Sequence, residues 1–240
     1  MYMHVKRAGD IGFALILLFI FSLLLVAVSI LVAADSKGPV LFKQKRYGKN
    51  KQPFTIYKFR TMTVEAPNNQ STNSLVNADS YITRSGLILR KLSLDELPQL
   101  LNVLRGEMSF VGPRPVILQE ADLIGERDKY GANDCLPGIT GWAQANGRDE
   151  IDIFEKARLD GEYANNISMI MDIRCVLKTI DTIIFSRGYR EGAPVASMVY
   201  VASQETVFYA KIKSNVREVI RPVRRKRPME SQTSVTRIDI

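Results

Sequence analysis

The chain has 240 residues, of which 46% are hydrophobic and 24% charged, with a net charge of +8. That composition excludes a disordered protein, allows one sizeable domain with appendages, and suits anionic partners: lipid headgroups, nucleotides or nucleic acid. Two cysteines, Cys135 and Cys175, make no disulfide framework, and the single histidine, His4, leaves no basis for core histidine catalysis or a histidine-based zinc site.

Residues 11–34, IGFALILLFIFSLLLVAVSILVAA, carry no charge. As a helix they extend roughly 36 Å, long enough to cross a bilayer core. The run is too long for a cleaved leader, although Val32-Ala33-Ala34 has the small residues of a cleavage site. Lys6 and Arg7 precede it; Lys37, Lys43, Lys45, Arg46, Lys49 and Lys51 follow. With both flanks basic, the charge rule places both ends on the cytoplasmic face. A helix that enters and returns through one face satisfies this, whereas a straight anchor carries one basic flank outward. The polar break such a helix needs falls at Ser22.

Residues 38–62 alternate as strands do. Val40-Leu41-Phe42 and Phe54-Thr55-Ile56-Tyr57 flank a Gly-Lys-Asn-Lys turn, which predicts a basic β-hairpin. Its surface is either simply solvated or lies against anionic headgroups. Lys58 and Arg60 stand two apart, on one face of a strand, where they can meet a phosphate. Residues 63–80 read as a polar loop.

Residues 90–115 read RKLSLDELPQLLNVLRGEMSFVGPRP. Ser93-Leu94-Asp95-Glu96 fits a capping box, with Ser93 at the N-cap, Glu96 reaching back, and Leu92 and Leu97 as the hydrophobic staple. Pro98 fits a start nearer Asp95 better. The same geometry supports chemistry. A helix start offers N–H groups to a phosphate, and Arg90, Lys91 and Arg114 add charge-assisted bonds. A carboxylate there can bind Mg²⁺ or attack phosphorus, so two carboxylates among cations suit phosphoryl transfer.

Residues 116–130 read as a short charged helix. Residues 137–148, PGITGWAQANGR, read as a structured loop. In it Trp142, Gln144 and Asn146 can face a base, a sugar or a lipid, and Arg148 a phosphate, or the loop merely closes over the core. Residues 150–185 predict two helices broken near Asn165-Asn166-Ile167-Ser168, the second with Ile170, Ile173, Leu177, Ile180 and Ile184 on one face. Packing on the core and lying at a membrane interface both fit that face. Residues 211–228 hold eight basic residues and one acid, Glu218, and read as a disordered basic tail close to anionic lipid.

Three motifs, KFRTM over 58–62, the 90–115 stretch and PGITGWAQANGR over 137–148, occur here in an order that resembles bacterial sugar transferases of the monotopic phosphoglycosyltransferase type. The likeness runs from about residue 6 to 185. It implies an α+β, mainly α fold: an N-terminal re-entrant membrane helix, amphipathic interfacial helices and a small cytoplasmic catalytic core with the β-hairpin. The corresponding division is 1–36 in the membrane, 37–212 catalytic and 213–240 tail.

The resemblance also implies a reaction. Sugar-1-phosphate passes from a UDP-sugar to a polyprenyl phosphate such as undecaprenyl phosphate, with release of UMP. It does so on the cytoplasmic face of the bacterial inner membrane, as the first membrane step of exopolysaccharide, capsule or glycan assembly. Mg²⁺ and a covalent phosphosugar-aspartate go with it. Asp95 is then nucleophile and metal ligand, and Glu96 its partner, either moving a proton or orienting groups. Arg90 and Arg114 are phosphate or uridine-diphosphate contacts, joined by Lys58, Arg60 and Arg148. Inner-membrane lipids are expected partners and nucleic acid is not; association with a second copy stays open. The competing reading is a membrane-anchored basic scaffold that binds anionic lipid or polyanion without catalysis. One departure stands out. The family has Ser-Pro at the bend of its membrane helix, and here the pair is Ser22-Leu23, so nothing covalent forces a kink.

Overall fold

Two apolar helices meeting at a sharp corner begin the chain. In the computed structural model, which describes residues 2–67, 75, 78–147 and 151–184, α1 covers Tyr2–Ile20 and α2 covers Ser22–Asp35. Their axes are bent by 64°. Only Phe21 leaves the helical pattern, at φ −90°, ψ 9°. The backbone bonds continue through it, Phe21 N to Leu17 O at 2.8 Å and Leu25 N to Phe21 O at 2.8 Å. The Ser22 hydroxyl donates to Phe19 O at 2.8 Å, an extra pull on the previous turn of the kind that bends helices. Neither helix alone is long and apolar enough to cross a membrane; the pair passes that test together.

Each arm is fastened to the rest of the protein. Ala14 packs in a core with Ile56, Leu100, Val103 and Met108, while Val28 and Val32 pack with Phe59 and Leu89. Polar ties add direction. Arg7 donates to Val103 O and Leu104 O at 2.6 and 3.0 Å, and Asp10 accepts from Phe110 N at 3.3 Å. Tyr2 and Lys6 both reach Asp172 Oδ2 at 2.5 Å. At the far end Asp35 accepts from the Ser85 amide and hydroxyl, at 2.9 and 2.7 Å. Most of the remaining apolar surface is uncovered, with Phe19 83% and Leu23 84% exposed.

The expected hairpin is present: β1 (Leu41–Tyr47) pairs antiparallel with β2 (Pro53–Phe59), register Leu41 to Phe59. Helix α3 follows at Arg84–Lys91, N-capped by the Thr83 side chain. A 3-10 helix at Leu94–Gln99 then runs into α4 (Leu100–Arg105), which ends on Gly106 at φ +82°. That left-handed cap is glycine's province. Strand β3 (Ser109–Val111) is followed by β4 (Val116–Ile117), which extends the hairpin to the order β2-β1-β4. Helix α5 (Ala121–Asp128) is the short charged helix expected within 116–130.

The stretch expected to be a loop at 137–148 is more ordered than that. Gly138–Thr140 is strand β5, parallel to β3, and Trp142–Gly147 is helix α6. The contact is close: a Cβ on Gly138 would lie 2.1 Å from the Gly112 nitrogen, so only glycine fits. Helices α7 (Ile153–Asn165) and α8 (Met169–Ile184) match the predicted pair and its break. Helix α8 buries Met171 and Cys175 and leaves Ile170, Ile173, Leu177 and Ile180 exposed. The protein is thus mainly α-helical with a small β-sheet. Arg148 and the basic tail at 213–240 lie outside the described residues.

Candidate active site

The capping box does not form. Ser93 sits in the left-handed region at φ 55°, ψ 21°, and its side chain caps nothing. Leu92, expected in a hydrophobic staple, is 60% exposed. Such a backbone costs a non-glycine residue of order 1 kcal/mol or more, and conformations of this kind concentrate at functional sites. The reason is competition. The Glu96 carboxylate, which the box would turn back to Ser93, is taken by Lys58 Nζ at 2.6 Å and Arg114 NH2 at 3.2 Å. Pro98 is accommodated because residues 94–99 form a 3-10 helix and α-helix begins only at Leu100. A turn this short makes a weak N-terminal dipole, so the charge facing the cavity here comes from side chains.

Those side chains come from four elements. Lys58 projects from β2, Arg90 from the last turn of α3, Asp95 and Glu96 from the 3-10 helix, and Arg114 from the loop between β3 and β4. All line one cavity of about 890 Å³. Arg90 Nε is steered by the Thr61 hydroxyl at 2.9 Å. Arg60 lines the same cavity but is engaged at the end of α2, its NH2 donating to Ser36 O and Ser36 Oγ at 2.6 and 2.9 Å. Its Nε and NH1 are buried without a partner among the described residues.

The adjacent carboxylates differ electrostatically. Burial pushes Asp95 above the usual carboxylate range and the Glu96 charge adds to that, against the pull of Lys58, Arg90 and Arg114. Burial also acts on Glu96, but its direct pairs with Lys58 and Arg114 overcome it and bring Glu96 down to about 2. Among the described residues no hydrogen bond or ion pair engages Asp95. One carboxylate is therefore held in its charged form and occupied by two cations, and the other is more basic and has no such partner among the described residues. A free, basic oxygen is what attack on phosphorus requires.

The described residues contain no group of three or more His, Cys, Asp or Glu able to hold a metal. Mg²⁺ does not demand one. It commonly binds through one or two carboxylates together with substrate phosphates, and Asp95 offers such a carboxylate.

Sequence reasoning missed the supports behind the Gly-Pro-Arg-Pro loop. Arg127 and Asp160 form a buried pair at 2.5 Å, and Arg127 NH1 donates to Arg114 O at 3.0 Å. Arg46 NH1 donates to Pro115 O at 2.8 Å. Residues 33 apart on two helices leave no local pattern. The available signal was an aspartate and an arginine at positions that helical periodicity assigns to the buried faces of α5 and α7.

Comparison with known proteins gives a family. The family described as bacterial sugar transferase matches residues 1–186. An uncharacterized sugar transferase of Bacillus subtilis (strain 168), EpsL, is 39% identical over 201 residues, 84% of this chain and 98% of that protein. The undecaprenyl-phosphate glucose phosphotransferase of Komagataeibacter xylinus is 43% identical over 192 residues, 76% of this chain but 36% of that one. A UDP-N-acetylgalactosamine-undecaprenyl-phosphate N-acetylgalactosaminephosphotransferase of Aeromonas hydrophila is 38% identical over 197 residues, 79% of this chain and 46% of its own. The chain thus spans less than half of the last two relatives.

Proposed function

This chain belongs to the bacterial sugar transferase family, and on that premise we propose that it transfers sugar-1-phosphate from a UDP-sugar to undecaprenyl phosphate, releasing UMP. The relatives' names supply the substrates. The observation that carries the reading is the unengaged, burial-raised Asp95 beside a Glu96 already neutralised by Lys58 and Arg114, in a cavity large enough for a nucleotide sugar.

In this reading an Asp95 oxygen attacks the β-phosphorus. The bond from that phosphorus to the bridging oxygen breaks, and UMP leaves with the electron pair. A phosphate oxygen of the polyprenyl acceptor then attacks the same phosphorus and frees Asp95, so no net proton transfer is needed. Mg²⁺ held by Asp95 and the diphosphate would offset their mutual repulsion. Glu96, held near 2, is a poor proton carrier at neutral pH and instead fixes Lys58 and Arg114 against the phosphates. Arg90 and Arg114 contact phosphate oxygens; the resemblance adds Arg60, whose NH2 is held by Ser36, and Arg148, which lies outside the described residues.

The bent pair α1–α2 sits in the inner membrane as a re-entrant hairpin, and the apolar face of α8 lies at the interface, with catalysis on the cytoplasmic side. Two features support this: the exposed apolar surface and the basic residues at both ends of the pair.

The test is UMP release from a panel of UDP-sugars by purified protein with undecaprenyl phosphate. Release beyond one UMP per protein should need both the lipid and Asp95, and multiple turnovers without either would sink the reading. Arg90→Ala and Arg114→Ala should lose far more activity than Lys49→Ala; equal losses would mean general attraction to the membrane. For topology, His4→Cys and Lys43→Cys should stay unlabelled by an impermeant thiol reagent in intact cells and react once the cells are opened. Both variants are made in a background from which Cys135 and Cys175 have been removed, because Cys135 is only half-buried.

A further inference from the structure

The cavity has a second cationic arm that lies outside the three motifs. Arg46 NH1 donates to Pro115 O, next to Arg114, and Arg127 links Arg114 O to Asp160, one turn along α7 from Lys156. On its other side Arg114 bonds Glu96, the neighbour of Asp95. Arg46, Lys156, Arg114 and Asp95 all line one cavity, so Arg114 adjoins both an Asp95 arm and a Lys156–Arg46 arm of it.

The second arm is built for an anion. Arg46 is held in place through Gln44 Oε1 at 2.9 Å and Pro115 O at 2.8 Å. Lys156 is half-buried and lines the cavity, yet its ammonium makes no hydrogen bond or ion pair among the described residues. Two acids are near: Asp160 is spent on Arg127, and Glu120, which lines the cavity and offsets part of the charge of Lys156 and Arg46, bonds neither of them among the described residues. Withdrawing an ammonium from water beside guanidinium groups is costly unless an anion joins them. Burial, with the neighbouring arginines, accordingly pulls the Lys156 amine down.

We propose that Lys156 and Arg46 form a second phosphate subsite, separate from the one at Asp95 and joined to it by Arg114, and that it holds the phosphate of the leaving nucleotide. The assignment rests on the transferase reading above. In-line displacement puts the leaving group on the far side of the attacked phosphorus from Asp95. A guanidinium between the two arms can bond both phosphates of a diphosphate, and Lys156 then meets the one that departs as UMP.

The experiment uses the full chain with Lys156→Gln and Lys156→Arg. It reads KM for the UDP-sugar, KM for undecaprenyl phosphate and the inhibition constant of UMP. Loss of one charge-assisted bond should raise the two nucleotide constants about tenfold in Lys156→Gln and leave the lipid KM within about twofold, with Lys156→Arg restoring most of the difference. A rise confined to the lipid KM would keep the phosphate subsite but give it to the acceptor. Three unchanged constants would overturn the subsite. If the unaltered protein released no UMP from any UDP-sugar, the transferase reading itself would fail, and the subsite with it. A second measurement needs no variant: UMP should protect Lys156 from an amine-acylating reagent, read by peptide mass spectrometry, and uridine should not. Equal protection by both would also overturn the proposal.

Discussion

The Gly-Pro-Arg-Pro loop has a carboxylate–cation cluster on each side, and the two differ in how they are balanced. Behind it, Arg127 gives two N–H donors to one Asp160 oxygen, and both side chains are at most 3% exposed. In front, Glu96 accepts from Lys58 and Arg114, Asp95 accepts from nothing described, and the cluster opens to a cavity. The closed pair has no charge left over. The open one has a spare carboxylate and cations that one glutamate cannot saturate. A buried pair with nothing to spare can hold a backbone in place; a cluster with surplus charge of both signs can receive a phosphate and attack it.

The sharpest break in this comparison is Asp95→Asn. It should abolish lipid-dependent UMP release while leaving thermal stability unchanged or slightly raised, because the ionised Asp95 is a burial cost in the folded state. A fall in stability equal to that of Asp160→Ala would erase the distinction between front and back. Asp160→Ala should do the reverse, destabilising by about 3–5 kcal/mol because Arg127 is left buried and alone. Activity should then follow the folded fraction, measured by thermal unfolding beside turnover.

Glu96→Gln comes next, with an expected loss of ~10²-fold in turnover as Lys58 and Arg114 lose their anchor and shift from the phosphates. Its pH behaviour is the finer test. Asp95 must be ionised to attack, so the rate should fall as pH drops through its raised pKa. Removing the Glu96 charge and releasing Lys58 both favour ionised Asp95, so the acid limb should move to lower pH. Stability behaves differently. Glu96 is depressed to about 2 from an unfolded value near ~4.3, so its contribution is complete above ~4.3 and is lost as pH falls toward 2. Glu96→Gln should flatten that part of the acid unfolding curve. The smallest effect belongs to Lys51→Ala. The Lys51–Asp128 pair is about half exposed on both sides, and its loss should cost no more than about 1 kcal/mol.

The site was legible in the sequence where its parts are contiguous or two apart. Asp95 and Glu96 are neighbours, Lys58 and Arg60 stand two apart and line one cavity although β2 ends between them at Phe59, and turn residues and helical periods gave the hairpin, α7 and α8. What stayed hidden depends on partners distant in the chain. Ser93 looked like a cap because its four-residue pattern fits one; the outcome was decided by Lys58, 38 residues from Glu96. The strand at Gly138–Thr140 has three residues and two of the turn-forming kinds, and only β3 makes it a strand. Arg46 and Lys156 carried no motif at all. Arg60 was legible as a cation facing the site, but its hold on Ser36 required knowing where α2 ends.

The corner between α1 and α2 works like a bracket held by its screws and not by its elbow. No proline fixes the angle, the backbone bonds run through it, and the ties are at the ends: Tyr2, Lys6 and Arg7 on one arm, Asp35 and Ser36 on the other. Such a corner has leucine after Ser22 and keeps its 64° bend without a proline. The burden of keeping the angle passes to Arg7, Asp35 and Arg60, and a change at any of these would alter the shape of the whole arm from a distance.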